Sequence, residues 1–137
     1  MNNELDFNKI EAAIGKMVLA CSRVEYELIR LYEKYLPERD YHRDSYFDRY
    51  KKAISVANAT LTNGDIIAQK LTEMKTIAGY RHLVAHNPVH YSNETGTWHI
   101  FDLKNNKKSE SLNNLGALSV AANKLSRELS VLLRVNV

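Results

Sequence analysis

From Ile10 to Tyr35 the residues Ile10, Ile14, Met17, Cys21, Val24, Leu28, Leu31 and Tyr35 recur at spacings of 4-3-4-3-4-3-4. Alternating steps of three and four keep one apolar stripe on one face of an α-helix, whereas a half-buried strand needs steps of two. The stripe predicts a long helix over roughly Leu5 to Leu36, stopped by Pro37. It also suits near-parallel packing against other helices rather than a steep crossing. A chain that begins this way is committed to a helical architecture.

The later segments continue the theme. Glu38 to Asp44 is polar and reads as a loop, with Asp44 or Ser45 as the cap of a second helix carrying Phe47, Tyr50, Ile54, Ala57 and Leu61. Thr62-Asn63-Gly64-Asp65 is a stop followed by a start, with Gly64 in the left-handed closing position and Asp65 capping the next helix. Ile67, Leu71, Met74 and Ala78 form the third stripe. Asn87 precedes Pro88 and is pushed toward extended backbone, so this helix should end near His86. Tyr91, Trp98, Ile100 and Phe101 around Asn93-Glu94-Thr95-Gly96 predict a β-hairpin. Ser109 or Ser111 then opens a last helix with Leu112, Leu115, Leu118, Ala122, Leu125, Leu129 and Leu132 along one face. The expected fold is a single, mainly all-α domain over residues 1–137. It is an up-and-down four-helix bundle with a small β-hairpin between the third and last helices.

Composition bounds the partners. Hydrophobic residues at 45% and charged residues at 26% are ordinary for a globular protein, and a net charge of +3 permits RNA binding without arguing for it. Lys104 and Lys107-Lys108 are the basic cluster, for which a solvated loop is the commoner meaning. The one cysteine, Cys21, excludes an internal disulfide and sits on the apolar stripe, as a buried inert thiol would. The polar start and the absence of a long apolar run predict a cytoplasmic chain with no membrane partner.

One segment looks like chemistry: Tyr80-Arg81-His82-Leu83-Val84-Ala85-His86-Asn87-Pro88. The third stripe, continued at its own spacing, lands on Arg81, and a cation on an apolar seam is costly unless something satisfies it. Arginine grips phosphate oxygens as a permanent cation, and histidine exchanges protons near neutrality. On a straight helix Arg81 and His86 are about 140° apart, while His82 and His86 share a face. Spacing alone leaves a plainer reading open, in which Arg81 ties two helices together and His86 answers the helix dipole. A metal site built from His82, His86, His90 and His99 is disfavoured, because no glutamate separates the first pair and no carboxylates cluster. No metal or other cofactor is expected. Glu25, flanked at helical spacing by Val18, Ser22 and Ile29, is either a partner that fixes Arg81 or an idle surface carboxylate.

Arg81-His82-Leu83-Val84-Ala85-His86 resembles the motif of the HEPN superfamily: arginine, then Asn, Asp or His, then three residues and a histidine at a helix end. The first helix, with Cys21-Ser22-Arg23-Val24-Glu25, and the hairpin after the histidine are similar to family members too. The resemblance implies a metal-independent endoribonuclease, of the kind used as toxins or as antiviral and stress effectors, working as a homodimer with one composite cleft. It implies His86 as the acid/base residue, Arg81 as the phosphate clamp and His82 as a polar helper; Glu25 and Asn87 are supporting candidates by their position in the sequence. Chemistry agrees with the dimer, since one imidazole cannot easily take the 2′-hydroxyl proton and protonate the leaving oxygen at once. Where some family toxins carry a modifiable tyrosine two positions after the histidine, this chain has Pro88. Control by that route is unsupported, and an inhibitory protein partner stays open. The alternative is a non-catalytic helical module that binds a protein or nucleotide.

Overall fold

The apolar stripe of the first helix becomes the axis of the molecule. In a computed structural model describing residues 3–104 and 108–137, helix α1 spans Asn3–Tyr35, with Met17, Val24, Leu28 and Leu31 fully buried along it. Burying each such side chain contributes roughly 1.5–3 kcal/mol. Helix α2 follows at Tyr46–Thr60 and α3 at Gly64–His86. A three-stranded antiparallel sheet, β1 (Val89–Ser92), β2 (Thr97–Asp102) and β3 (Lys108–Ser111), leads to α4 (Leu115–Arg134). The protein is therefore mainly helical, with four helices and a hairpin between the third and the last, as the periodicity predicts.

Local chemistry explains the boundaries. Ser45, one of the two expected caps, accepts a hydrogen bond from the Asp48 N–H at 3.2 Å. Between α2 and α3 the roles differ from expectation. Asn63, not Gly64, takes the left-handed conformation (φ 58°), and Gly64 is already the first residue of α3. Glycine is required there by crowding, because a Cβ would collide with the Ala57 carbonyl. Asn87 is extended (φ −131°, ψ 151°) ahead of Pro88, which ends α3 at His86. The last helix starts later than either serine allows. Ser109 and Ser111 lie in β3, opposite Phe101 and His99, and the third strand they extend went unread.

The strict alternation of helix direction does not extend to α1 and α4. Arg23 donates to Ser126 at 2.6 Å, Ser130 donates to Glu27 at 3.1 Å and Tyr35 donates to the Asn136 carbonyl at 2.8 Å, so the two helices run parallel. Segment 36–45 makes this possible by returning along α1: Tyr32 donates to Asp44 at 2.7 Å, and Arg39 pairs with Asp44 at 2.9 Å. Helix α3 runs against both α2 and α4, with Lys70 reaching Glu128 at 2.9 Å. The sheet docks beside the α1 start, where Trp98 packs 5.0 Å from Phe7 and 5.6 Å from Tyr91. That arrangement holds the end of α3 open to solvent on one side. Among the described residues, no helix is long and apolar enough to cross a membrane.

Candidate active site

The last two turns of α3 carry the motif, and three different surroundings receive its side chains. Val84 is buried and anchors the turn, Arg81 and His82 are half-buried, and His86 is exposed. Arg81 lines a cleft of about 200 Å³ between α1, α2 and α3, together with Cys21, Glu25, Arg49, Tyr50 and His82. Its Nε is buried without a hydrogen-bond partner, and no carboxylate among the described residues pairs with it. Arg81 therefore does not tie the helices together through an ion pair.

Neither reading of Glu25 holds: it is paired, but with Arg49 rather than Arg81. Glu25 accepts from Arg49 of α2 at 3.2 Å, and Arg49 also donates to the Tyr41 carbonyl at 2.9 Å and covers the Tyr41 ring at 4.0 Å. The bent segment 36–45 brings Tyr41 to that position, a long-range consequence no local spacing announces. Glu25 remains in the cleft with Arg81, its Oε1 engaged by Arg49. Cys21 is buried as expected, and burial pushes its thiol up to about 11, so it stays protonated and unreactive near neutrality.

His82 belongs to two clefts. On one side its ring stacks on Tyr46 with centroids 5.2 Å apart, and on the other it meets His86 at 4.4 Å. The second, more open cleft holds His82, His86 and Asn87 beside Asp102 at the end of β2 and Leu103 and Lys104 in the turn that follows. Asn87 spends both ends of its amide on backbone. Its Nδ2 donates to the Leu83 carbonyl at 2.8 Å, and its Oδ1 accepts from the Leu103 N–H at 2.9 Å. Asn87 therefore positions the turn that brings Lys104 beside the imidazoles. Lys104 is the residue this cleft gains that the motif did not select. Lys107 lies outside the described residues.

Partial burial, then the charges of His86, Lys104 and Arg81, lower the His82 pKa. A histidine with a depressed folded-state pKa is protonated more readily in the unfolded chain. Stability is thus full above about pH 6.5 and falls as pH drops from there through the folded value. The variant His82→Asn should show a flatter loss of stability over that window. Urea denaturation from pH 7.5 to pH 5 measures it, and identical slopes would contradict the assignment.

His90 and His99 are cross-strand partners stacked at 5.7 Å on the sheet, not companions of His82 and His86. Among the described residues, no three His, Cys, Asp or Glu side chains are grouped to hold a metal ion. No family model, curated protein or solved structure matches the chain. The site itself is what bears on function.

Proposed function

We propose that the protein is a metal-independent endoribonuclease of the HEPN kind, acting on RNA as a homodimer with a composite site. The observation that carries this reading is Arg81. It is a half-buried cation whose Nε meets no partner, placed within a turn and a half of a solvent-exposed imidazole. Arginines kept on apolar seams for stability are ordinarily paired. An unspent guanidinium is instead available to a phosphate.

In this reading the 2′-oxygen of the RNA attacks the adjacent phosphorus while the P–O5′ bond breaks, giving a 2′,3′-cyclic phosphate and a 5′-hydroxyl. His86 of one protomer takes the 2′-hydroxyl proton, and the second copy's His86 delivers a proton to the departing oxygen. Arg81 offsets charge that develops on the phosphoryl oxygens. His82, with its lowered pKa, is neutral near pH 7 and packs against His86 without adding a second charge. A cytoplasmic toxin or antiviral effector restrained by an inhibitory protein partner fits the same chemistry.

An oligodeoxynucleotide carrying a single ribonucleotide tests the reaction type. Cutting only on the 3′ side of that ribonucleotide, leaving a cyclic phosphate, is expected, whereas cutting of an all-DNA strand would overturn it. Subunit mixing tests the composite site. As His86→Ala protein replaces wild type at constant total protein, activity should fall with the square of the wild-type fraction, and a linear fall would contradict a shared site.

A further inference from the structure

A second residue lining the Arg81 cleft carries an unpartnered polar atom. Tyr50 is only 1% exposed, yet its hydroxyl is buried without a hydrogen-bond partner, and the residue lines the same cleft of about 200 Å³ as Arg81. Two residues lining one small cavity that each carry an unpartnered buried polar atom are unusual, since buried polar atoms are nearly always bonded. Each costs free energy unless a ligand or water answers it. Packing does not require the hydroxyl: a phenylalanine ring would fill the same core position. The rest of the lining is mixed. Glu25 from α1 is an acceptor, Arg49 and Arg81 are donors, and the rings of Tyr46 and His82 form part of the wall.

A phosphate alone suits this lining poorly, because Glu25 would repel it. A flat group carrying adjacent donors and adjacent acceptors suits it well. We propose that this cleft is a nucleobase pocket and that guanine is the base it takes. Guanine O6 and N7 accept from arginine and hydroxyl donors. Its N1–H and amino group donate to a carboxylate, an edge no other common base presents. Arginine has five N–H donors, so reading a base through Nε leaves others for a phosphate. His82 borders both this pocket and the His86 cleft, which places a bound base beside the scissile linkage. Its role in choosing the cut site rests on the ribonuclease reading; the binding itself does not.

The test uses the full chain and the four nucleoside 5′-monophosphates in thermal-shift measurements. Guanosine monophosphate should raise the melting temperature by about 4 °C at tenfold its Kd, with smaller shifts from the other three. Tyr50→Phe should keep the helical spectrum and bind guanosine monophosphate at least about fivefold more weakly, and Glu25→Gln should lose the preference for guanine. Equal responses to all four nucleotides, no response, or an unchanged response in Tyr50→Phe would each overturn the pocket, leaving a cavity that holds water only. Cleavage assays separate the two claims. RNA cutting with no preference for guanine beside the cut overturns the pocket's role in choosing the cut site, and guanine binding without any RNA cutting supports the pocket and overturns the ribonuclease.

Discussion

Replacing His86 with alanine is expected to lower RNA cleavage by roughly 100- to 10,000-fold, the range that a positioned acid/base group supplies. The fold should not notice. His86 is exposed at the last residue of α3, and the cap that ends the helix is Asn87, whose amide bonds to Leu83 and Leu103 do not involve it. A surface substitution of this kind changes stability by less than about 0.5 kcal/mol. Arg81→Ala should cost cleavage about 100- to 1,000-fold through loss of charge stabilisation. Arg81→Lys should recover only part of that, because an ammonium keeps the charge and loses the planar fork. Steady-state rates on one RNA, alongside circular dichroism of each variant, measure both effects. A stable, folded His86→Ala protein that cut at the wild-type rate would remove His86 from the chemistry.

Gly64→Ala is expected to be the most destabilising small substitution in the chain, costing about 3 kcal/mol, at the upper end for overpacking. The added methyl would fall inside the van der Waals envelope of the Ala57 carbonyl. Backbone on both sides is fixed. Ala57 belongs to α2 and its carbonyl accepts from Leu61, while the Gly64 N–H donates to the Leu61 carbonyl at 3.1 Å. Asn63 already occupies the left-handed region and has no freedom to absorb the strain. Relief would require prising the start of α3 away from Ala57 of α2. The melting temperature should drop by roughly 10 °C. Gly15→Ala is the control. A Cβ there meets nothing within 4 Å, and Gly15 lies inside α1, so that variant should gain about 0.5–1 kcal/mol. Equal melting temperatures for the two variants would show that the α2–α3 turn tolerates what its geometry forbids.

The helices were legible because their cores repeat at helical spacing. Met17, Val24, Leu28 and Leu31 in α1 and Ile67, Leu71 and Met74 in α3 are all buried where periodicity puts them. The end of α3 was legible because a residue before proline resists helical backbone. What escaped depends on parts distant in sequence. The serines at 109 and 111 carry a helix-capping chemistry, yet pairing with β2 claims them for a strand. Glu27 was unreadable as a core residue, because its burial needs Ser130 and Arg134 on α4, which both donate to its Oε1 in a parallel pairing of helices. The partner of Glu25 was unreadable for the same reason, since Arg49 arrives through the bend at Tyr41. In the site, Arg81 and His86 were picked out by type and spacing. Lys104 was visible only as a basic residue, because the Asn87–Leu103 bond that brings it to His86 spans separate elements.

The central claim is that this chain cuts RNA with its own side chains. The direct measurement is incubation of the purified protein with total RNA in excess EDTA, beside Arg81→Ala and His86→Ala proteins prepared identically. The account predicts fragments ending in 2′,3′-cyclic phosphate from the wild type and intact RNA from both variants. Cleavage that survived both substitutions, or RNA left whole by the wild type over a broad range of substrates and protein concentrations, would contradict it.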